Sequence, residues 1–148
     1  MNITGTVDSV LNQKPPQLWT IRPEATVFEA IQLMADKNIG ALPVMLNEKL
    51  VGVFSERDYT RKIALKGRSS KQTPVREVLS DVYSVEPETS VEDCMRLMTE
   101  NRVRHLPVID GDELIGMVSI GDLVNWTISV QHVALNQMAD YISGKYPG

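Results

Sequence analysis

The sequence predicts a mixed α/β (α+β) fold in which two β-α-β-β-α repeats pack on each other as a pseudo-two-fold pair. The main observation is an internal repeat: residues 20–59 align with residues 84–123 at an offset of 64 without a gap, and 12 of the 40 positions are identical. The second observation is length, because a lone unit of about 60 residues is only marginally stable. We therefore expect the repeats, residues 1–70 and 71–148, to form one folded body.

A helical turn leads into each repeat. Residues 7–11 match residues 75–79 at an offset of 68, so the first repeat carries four extra residues, within residues 13–19. The polar segment at residues 66–72 is predicted to be a turn between the repeats rather than a long flexible linker.

Each repeat is then predicted to form a short strand that ends at a proline. The strands are residues 19–22 and 83–86. A helix follows each strand, and it begins at a capping box in which a hydroxyl residue precedes an acidic residue by three positions. The capping pairs are Thr26 with Glu29 and Ser90 with Asp93. The apolar face of each helix has helical spacing. Its residues are Val27, Ala30, Ile31 and Met34 in the first copy, and Val91, Cys94, Met95 and Met98 in the second.

A β-hairpin and a second helix complete each repeat. Two alternating apolar runs separated by a short polar turn are typical of a hairpin. The predicted strands are residues 41–46 and 50–55 in the first copy, and residues 105–109 and 114–119 in the second. The second helix is predicted to begin directly after Ser55 and after Ser119.

The final helix is predicted to be longer than its counterpart in the first repeat. Apolar residues and Gln131 recur at alternating steps of four and three, and Gly144 is predicted to end the helix. The apolar members are Val124, Ile128, Leu135, Met138 and Ile142. Such a stripe is either core or a seam with another subunit, and we expect a homodimer.

Composition excludes several classes of protein. Hydrophobic residues make up 43% of the chain and charged residues 23%, as in ordinary globular proteins. The net charge of −4 is not typical of a basic nucleic-acid binder. The single cysteine allows no intrachain disulfide, and neither a signal peptide nor a membrane-length apolar stretch is visible. We expect a cytoplasmic protein that contacts neither nucleic acid nor membrane.

The two hairpins carry related motifs. They are ALPV at residues 41–44 with LVGVFSERD at residues 50–58, and RHLPV at residues 104–108 with LIGMVSIGD at residues 114–122. This pattern resembles the cystathionine-β-synthase-type (CBS) domain, present here as the tandem pair known as a Bateman module. The resemblance runs from about residue 7 to residue 124. It implies an adenine nucleotide ligand (AMP, ADP, ATP or NAD, or S-adenosylmethionine) held in clefts between the two copies.

The motif Ser-x-x-Asp occurs at both predicted strand-to-helix turns, as Ser55 with Asp58 and Ser119 with Asp122. A helix N-terminus offers free N–H groups to a phosphate, and an ionised Asp there can accept hydrogen bonds from a ribose diol. The same spacing is also that of a plain capping box, which would explain these positions without any ligand. From the residues alone both interpretations stay open.

The resemblance implies further contacts with the nucleotide. Arg104 and His105 are similar to basic residues that reach the phosphate in AMP-binding members of the family. Their counterparts Gly40 and Ala41 leave room instead of charge, which suits a base or a close backbone approach, so the two clefts are expected to be unequal. Arg57 is a further candidate for the phosphate. The first-strand candidates are Thr20, Ile21 and Ser84.

These residues predict a regulatory module that binds an adenine nucleotide and signals to a partner. An enzyme is not expected, because the sequence shows no glycine-rich phosphate loop, metal cluster or nucleophile–base pair, and no catalytic cofactor or metal is predicted. Cys94 is predicted to be a core thiol, and His132 lies near no other ligand-type residues. The rival hypothesis is a ligand-free protein–protein interaction module in which Ser-x-x-Asp serves only as a cap.

Overall fold

The computed structural model describes residues 4–142, and side chains as far as residue 139. It confirms the predicted mixed fold. The elements in chain order are α1 Val7–Asn12, α2 Val27–Lys37, β1 Ala41–Leu46, β2 Lys49–Ser55, α3 Glu56–Asp58 continued by a π-helix Tyr59–Ala64, a 3-10 turn Val75–Val78, α4 Val91–Asn101, β3 His105–Asp110, β4 Glu113–Ser119 and α5 Ile120–Ile142.

The first helix of each repeat begins at its predicted cap. The Thr26 hydroxyl accepts from the Glu29 N–H at 3.1 Å, and the Glu29 carboxylate accepts from the Thr26 N–H at 3.0 Å, so this capping box is confirmed. The Ser90 hydroxyl likewise accepts from the Asp93 N–H at 3.0 Å. The Asp93 carboxylate pairs with Arg96 at 3.0 Å, so the described contacts show only this half of the second predicted box.

Each hairpin is an antiparallel pair of strands, β1 with β2 and β3 with β4. The register places Ala41 opposite Ser55 and His105 opposite Ser119. The residue before each hairpin therefore lies beside the helix that follows it. The Gly40 carbonyl accepts from the Glu56 N–H at 3.0 Å, which brings the two ends of the hairpin to one place.

The predicted first strands at residues 19–22 and 83–86 are wrong. Only Ile21 pairs in the first copy: it donates to the Pro43 carbonyl at 3.1 Å and accepts from the Met45 N–H at 2.9 Å. In a parallel ladder the next hydrogen bonds on either side would need the N–H groups of Pro23 and Pro43, and proline has none. The equivalent prolines limit the second copy to a single bridge at Val85.

The helical turns that lead into the repeats are exchanged between the two cores. Val7 and Val10 of α1 pack in the core of the second repeat, with Leu106 and Val118. The 3-10 turn Val75–Val78 packs instead in the core of the first repeat. Each leading turn therefore covers the copy that it does not precede.

Backbone hydrogen bonds repeat this exchange with pseudo-two-fold symmetry. The Val7 N–H donates to the Thr89 carbonyl at 2.8 Å, and the Val75 N–H donates to the Ala25 carbonyl at 2.8 Å. Because both cores draw on residues from both sides of residue 70, the described part of the chain folds as one interlocked body.

The last helix, α5, is longer than its counterpart, as predicted. The described apolar members of its stripe are exposed: Val124 by 44%, Ile128 by 59%, Leu135 by 63% and Met138 by 60%. The side chain of Ile142 and the predicted stop at Gly144 lie outside the described residues. Within this chain the stripe is therefore not core.

Candidate functional site

A cleft of about 860 Å³ lies between the two repeats. Its walls are the junction of β2 with α3, the segment that leads into the second repeat, and the connection between α4 and β3. Pockets for small ligands have volumes of about 300–1,000 Å³, so the cleft is large enough for a nucleotide. Half of the predicted site residues line it: Gly40, Ser55, Arg57, Asp58, Arg104 and His105.

Asp58 lies at the floor of this cleft and is almost fully buried, with 7% of its surface exposed. Its Oδ2 accepts from the Ser55 N–H at 2.9 Å and from the Ser55 hydroxyl at 3.0 Å. Its Oδ1 accepts from the Ser80 hydroxyl and lies 3.3 Å from the Lys62 ammonium. A carboxylate accepts about four hydrogen bonds, so these three hydrogen bonds and the Lys62 ion pair use most of its acceptor capacity.

Lys62 ties this carboxylate to the segment between the repeats. Its ammonium donates to the Val78 and Leu79 carbonyls at 3.3 and 3.0 Å, and to the Ser80 hydroxyl at 3.3 Å. The Ser80 backbone pairs in turn with Val53 of β2. The floor of the cleft is therefore a closed polar network that joins the first repeat to the chain entering the second.

The rim of the cleft is positively charged. The residues that line it include five Lys or Arg and three Asp or Glu, although the whole chain has a net charge of −4. Arg57 of the first repeat donates from Nη1 to the Arg102 carbonyl of the second at 2.7 Å. Since Lys62 already neutralises Asp58, the charge that remains favours an anionic ligand.

His105 lies at the start of β3, close to Gly40 of the first repeat. A Cβ placed on Gly40 would lie 3.2 Å from the His105 Nε2 and 3.3 Å from a Glu56 carboxylate oxygen. Any side chain at residue 40 would thus crowd the His105 imidazole. The space that the sequence predicts beside Gly40 is occupied by this imidazole. Burial lowers the pKa of His105, an effect that the Asp122 carboxylate opposes and the Lys14 and Arg104 charges reinforce.

The second Ser-x-x-Asp motif has different partners. Asp122 Oδ2 accepts from the Ser119 N–H at 2.8 Å, and the Asp122 N–H donates to the Ser119 hydroxyl at 3.1 Å. The Lys14 ammonium donates to the same oxygen at 2.7 Å and to the Met117 carbonyl at 2.8 Å. Lys14 belongs to the four-residue-longer segment of the first repeat, so that extra length places a cation beside the second motif. The partners of the two motifs therefore differ, while the expected inequality of the two clefts stays a prediction.

The other predicted site residues do not line this cleft, as far as residues 4–142 show. Ser119 and Asp122 form the separate cluster with Lys14. Thr20 and Ser84 are exposed, Ile21 packs against the core of the first repeat, and Ala41 is buried at the start of β1. The nucleotide contacts assigned to all these positions stay predictions.

Sequence reasoning missed several residues that line the cleft. The polar ones that matter most are Arg61, Lys62, Ser80, Asp81, Tyr83 and Arg102. Lys62 lies four residues after Asp58, which is the spacing of an ion pair on one helix face, so that signal was present in the sequence. Ser80 and Tyr83 carried no such signal, because only tertiary packing brings the segment between the repeats to the cleft.

One other prediction concerns a position away from the cleft. Cys94 is buried in the core of the second repeat, as predicted, and burial together with the nearby Asp93 raises the pKa of its thiol to about 11. The described residues contain no group of three or more His, Cys, Asp or Glu placed to hold a metal ion. No helix in that part of the chain is both long enough and apolar enough to cross a membrane.

Comparison with known proteins gives consistent matches along the chain. A family model described as the CBS domain matches residues 7–65 and residues 75–129. The chain is 42% identical over 135 residues to the CBS domain-containing protein CBSX3, mitochondrial, of Arabidopsis thaliana, an alignment that covers 87% of this chain and 65% of that protein. It is 36% identical over 139 residues to the CBS domain-containing protein YhcV of Bacillus subtilis (strain 168), covering 93% of this chain and 91% of that protein. The chain thus spans about two thirds of the Arabidopsis relative.

Solved structures share the fold. A protein of Burkholderia ambifaria MC40-6 described as "a putative signal-transduction protein with CBS domains" superposes with a TM-score of 0.82 at 48% identity, over 84% of this chain and 95% of that one. The hexameric CBS-CP12 protein from bloom-forming cyanobacteria superposes with a TM-score of 0.73 at 30% identity, over 82% of this chain and 71% of that one. The CBS domain pair of MJ0100, solved in complex with 5′-methylthioadenosine and S-adenosyl-L-methionine, has the same fold at 22% identity, with a TM-score of 0.71 over 82% of this chain and 94% of that one. The chain belongs to the CBS-domain family and carries two CBS domains in tandem, the pair that forms a regulatory module.

Proposed function

We propose that this CBS pair is a sensor that binds an adenine nucleotide (AMP, ADP, ATP or NAD) in the cleft between its repeats and passes the bound state to a partner. The observation that carries the proposal is the cleft itself, which is nucleotide-sized and basic in a chain of net negative charge. Because both repeats and the segment between them form its walls, a ligand there would contact all three. Binding would therefore change the relative stability of arrangements of the two repeats.

The chemistry of the lining suits a nucleotide. Arg104 offers a bidentate fork to a phosphate, and neutral His105 beside it offers a further donor. Tyr83 offers an aromatic face on which a base can stack. A ribose diol would bind Asp58 in place of the Ser80 hydroxyl and the Lys62 ammonium. In this proposal, ribose binding breaks the contacts of Asp58 with Ser80 and Lys62 and so opens the closed network.

The output is proposed to pass through α5. Its exposed apolar stripe is the natural seam of a homodimer, and the related CBS-CP12 protein, described as hexameric, supports association in this family. The MJ0100 complex supports adenosine-containing ligands for this fold. No catalytic activity or catalytic cofactor is part of the proposal. The single buried thiol suits a reducing compartment such as the cytoplasm.

One observation favours a second candidate function, a ligand-free interaction module. Asp58 is held within the protein by three hydrogen bonds and an ion pair, as expected if the motif is only a cap. In that case the cleft binds no nucleotide, and the exposed stripe on α5 is the functional surface.

A thermal-shift panel separates the two functions. AMP, ADP, ATP, NAD, S-adenosylmethionine, adenosine and GTP are each added to the full chain at saturating concentration. A ligand at 100 times its dissociation constant stabilises a protein by about 2.7 kcal/mol, which is a shift of several degrees for a body of this size. Arg104→Ala should reduce the shift, whereas Arg76→Ala, an exposed arginine outside the cleft lining, should not. No shift with any adenine ligand would leave the interaction module as the better reading.

A further inference from the structure

Arg102 occupies a backbone position that its residue type disfavours. It ends α4 in the left-handed conformation, with φ 54° and ψ 41°. The equivalent position at the end of α2 is Asn38, with φ 55° and ψ 49°. Asparagine is one of the few residues besides glycine that adopts this conformation readily, whereas a long side chain does not. The fold accepts asparagine at this position, so the arginine in the second copy needs another explanation.

The geometry of Glu48, which is the other long side chain with positive φ in the described part of the chain, is explained locally. Glu48 follows Asn47 in the two-residue turn between β1 and β2, where a tight hairpin requires left-handed backbone. Arg102 does not lie in a hairpin turn, so its left-handed conformation has no such local explanation. The residue is exposed and lines the cleft, and its side chain has no hydrogen bond or ion pair among the described residues. The strain is therefore not offset by a described contact of its guanidinium group.

The same residue positions a second arginine. The Arg102 carbonyl accepts from Arg57 Nη1 at 2.7 Å, which holds a guanidinium of the first repeat beside the second. Arg61 and Arg104 line the same cleft, so four arginines line it together with Arg57 and Arg102. The acidic residues that face them are Glu56 and Asp81, since Asp58 is paired with Lys62.

A monophosphate uses fewer hydrogen-bond donors than these four guanidinium groups offer. It carries at most two negative charges, and one bidentate arginine with one further donor satisfies much of its hydrogen-bonding capacity. A chain of two or three phosphates carries more charge and spans a greater length of the cleft. We propose that Arg102 is a specificity-determining residue which, with Arg57, Arg61 and Arg104, makes the cleft select a di- or triphosphate chain over a monophosphate. The inference rests on the proposed function in one respect, which is that the ligand lies in this cleft.

The test is Arg102→Asn, which installs the residue that the first copy carries at the same position. Isothermal titration of the full chain uses three probes: ATP, AMP and inorganic tripolyphosphate. We expect wild type to bind ATP more tightly than AMP. Arg102→Asn should bind ATP about tenfold more weakly, since it loses bonds between charged groups, and should change AMP affinity by less than about twofold. The variant without ligand should be at least as stable as wild type, because Asn relieves the strain. Arg76→Asn is the matched control and should change none of these values.

The outcomes separate this inference from the proposed function. If AMP binds as tightly as ATP, or if Arg102→Asn leaves ATP affinity unchanged or lowers AMP affinity equally, nucleotide binding stands and the selection by Arg102 is refuted. If tripolyphosphate binds through Arg102 and adenine adds nothing to the affinity, the inference stands and the adenine sensor is refuted. If no probe binds to wild type, the selection by Arg102 is refuted, and the adenine sensor is refuted as well if ADP and NAD give no thermal shift.

Discussion

Replacing Asp58 by Asn tests the closed network at the floor of the cleft. The substitution keeps the size of the side chain but removes its charge and turns one acceptor oxygen into an NH2 group. If the remaining oxygen faces Ser55, the cap survives and the NH2 group faces the Lys62 ammonium and the Ser80 hydroxyl. If the amide is reversed, the NH2 group faces the Ser55 N–H. In either orientation the asparagine NH2 group therefore faces another hydrogen-bond donor.

The expected loss follows from these contacts. A hydrogen bond to a charged group contributes about 1.5–3 kcal/mol, and a lost N-cap costs about 1 kcal/mol. Lys62 is partly exposed, so its ion pair adds less than about 1 kcal/mol. Since asparagine retains one side of the network, we expect Asp58→Asn to lower the free energy of unfolding by about 2 kcal/mol. That corresponds to a fall in Tm of roughly 4–8 °C for a chain of this length.

The assay is urea unfolding followed by circular dichroism, without ligand. Asp122→Asn is the matched control, because Asp122 is less buried and its described contacts are the cap and Lys14 alone. It should lose no more than about 1 kcal/mol. The reasoning is refuted if Asp58→Asn lies within about 0.5 kcal/mol of wild type, the range of ordinary surface substitutions, or if both variants lose the same amount. With nucleotide present, Asp58→Asn should also weaken binding about tenfold if the carboxylate accepts the ribose diol.

Three further predictions concern the exchanged core, α5 and the imidazole. Residues 1–72 expressed alone should not fold as a monomer, because they lack the 3-10 turn that fills the core of the first repeat. Residues 14–82 contain that whole core and should be more stable. Cooperative unfolding of monomeric 1–72 in calorimetry would contradict this prediction. Leu135→Asp should make the chain monomeric in light scattering. Leu65→Asp, which replaces an exposed leucine outside α5, should leave the chain a dimer. Equal masses for both variants would exclude α5 as the dimer interface. Because burial lowers the pKa of His105 below 6.5, the unfolded chain takes up a proton that the folded chain resists, so stability should be constant above about pH 6.5 and fall as the pH drops below it. His105→Gln should flatten that fall, and an unchanged pH profile would assign it to other groups.

Local structure could be predicted from the sequence because its determinants are close together along the chain. The capping hydroxyls, the alternating strands of each hairpin and the spacing of the helical faces act within a few residues, and the repeat allows each one to be read twice. The first strands were mispredicted for a reason that is itself long-range. The first one does not extend because Pro43, on a strand more than twenty residues away, has no N–H to donate to it, and Pro107 limits the second in the same way.

The partner of each apolar face was decided only by tertiary structure. The sequence shows that Leu11 corresponds to Leu79 and Gly52 to Gly116. It does not show which of the two leucines packs on which of the two glycines. In the fold a Cβ on Gly52 would lie 2.9 Å from a methyl of Leu79, and a Cβ on Gly116 would lie 2.9 Å from a methyl of Leu11. Each leading turn therefore packs on the opposite copy. The same packing brings the segment with Ser80 and Tyr83 to the cleft. Two copies of one motif encode the same local interactions, and only the joint packing of both cores distinguishes one pairing from the other.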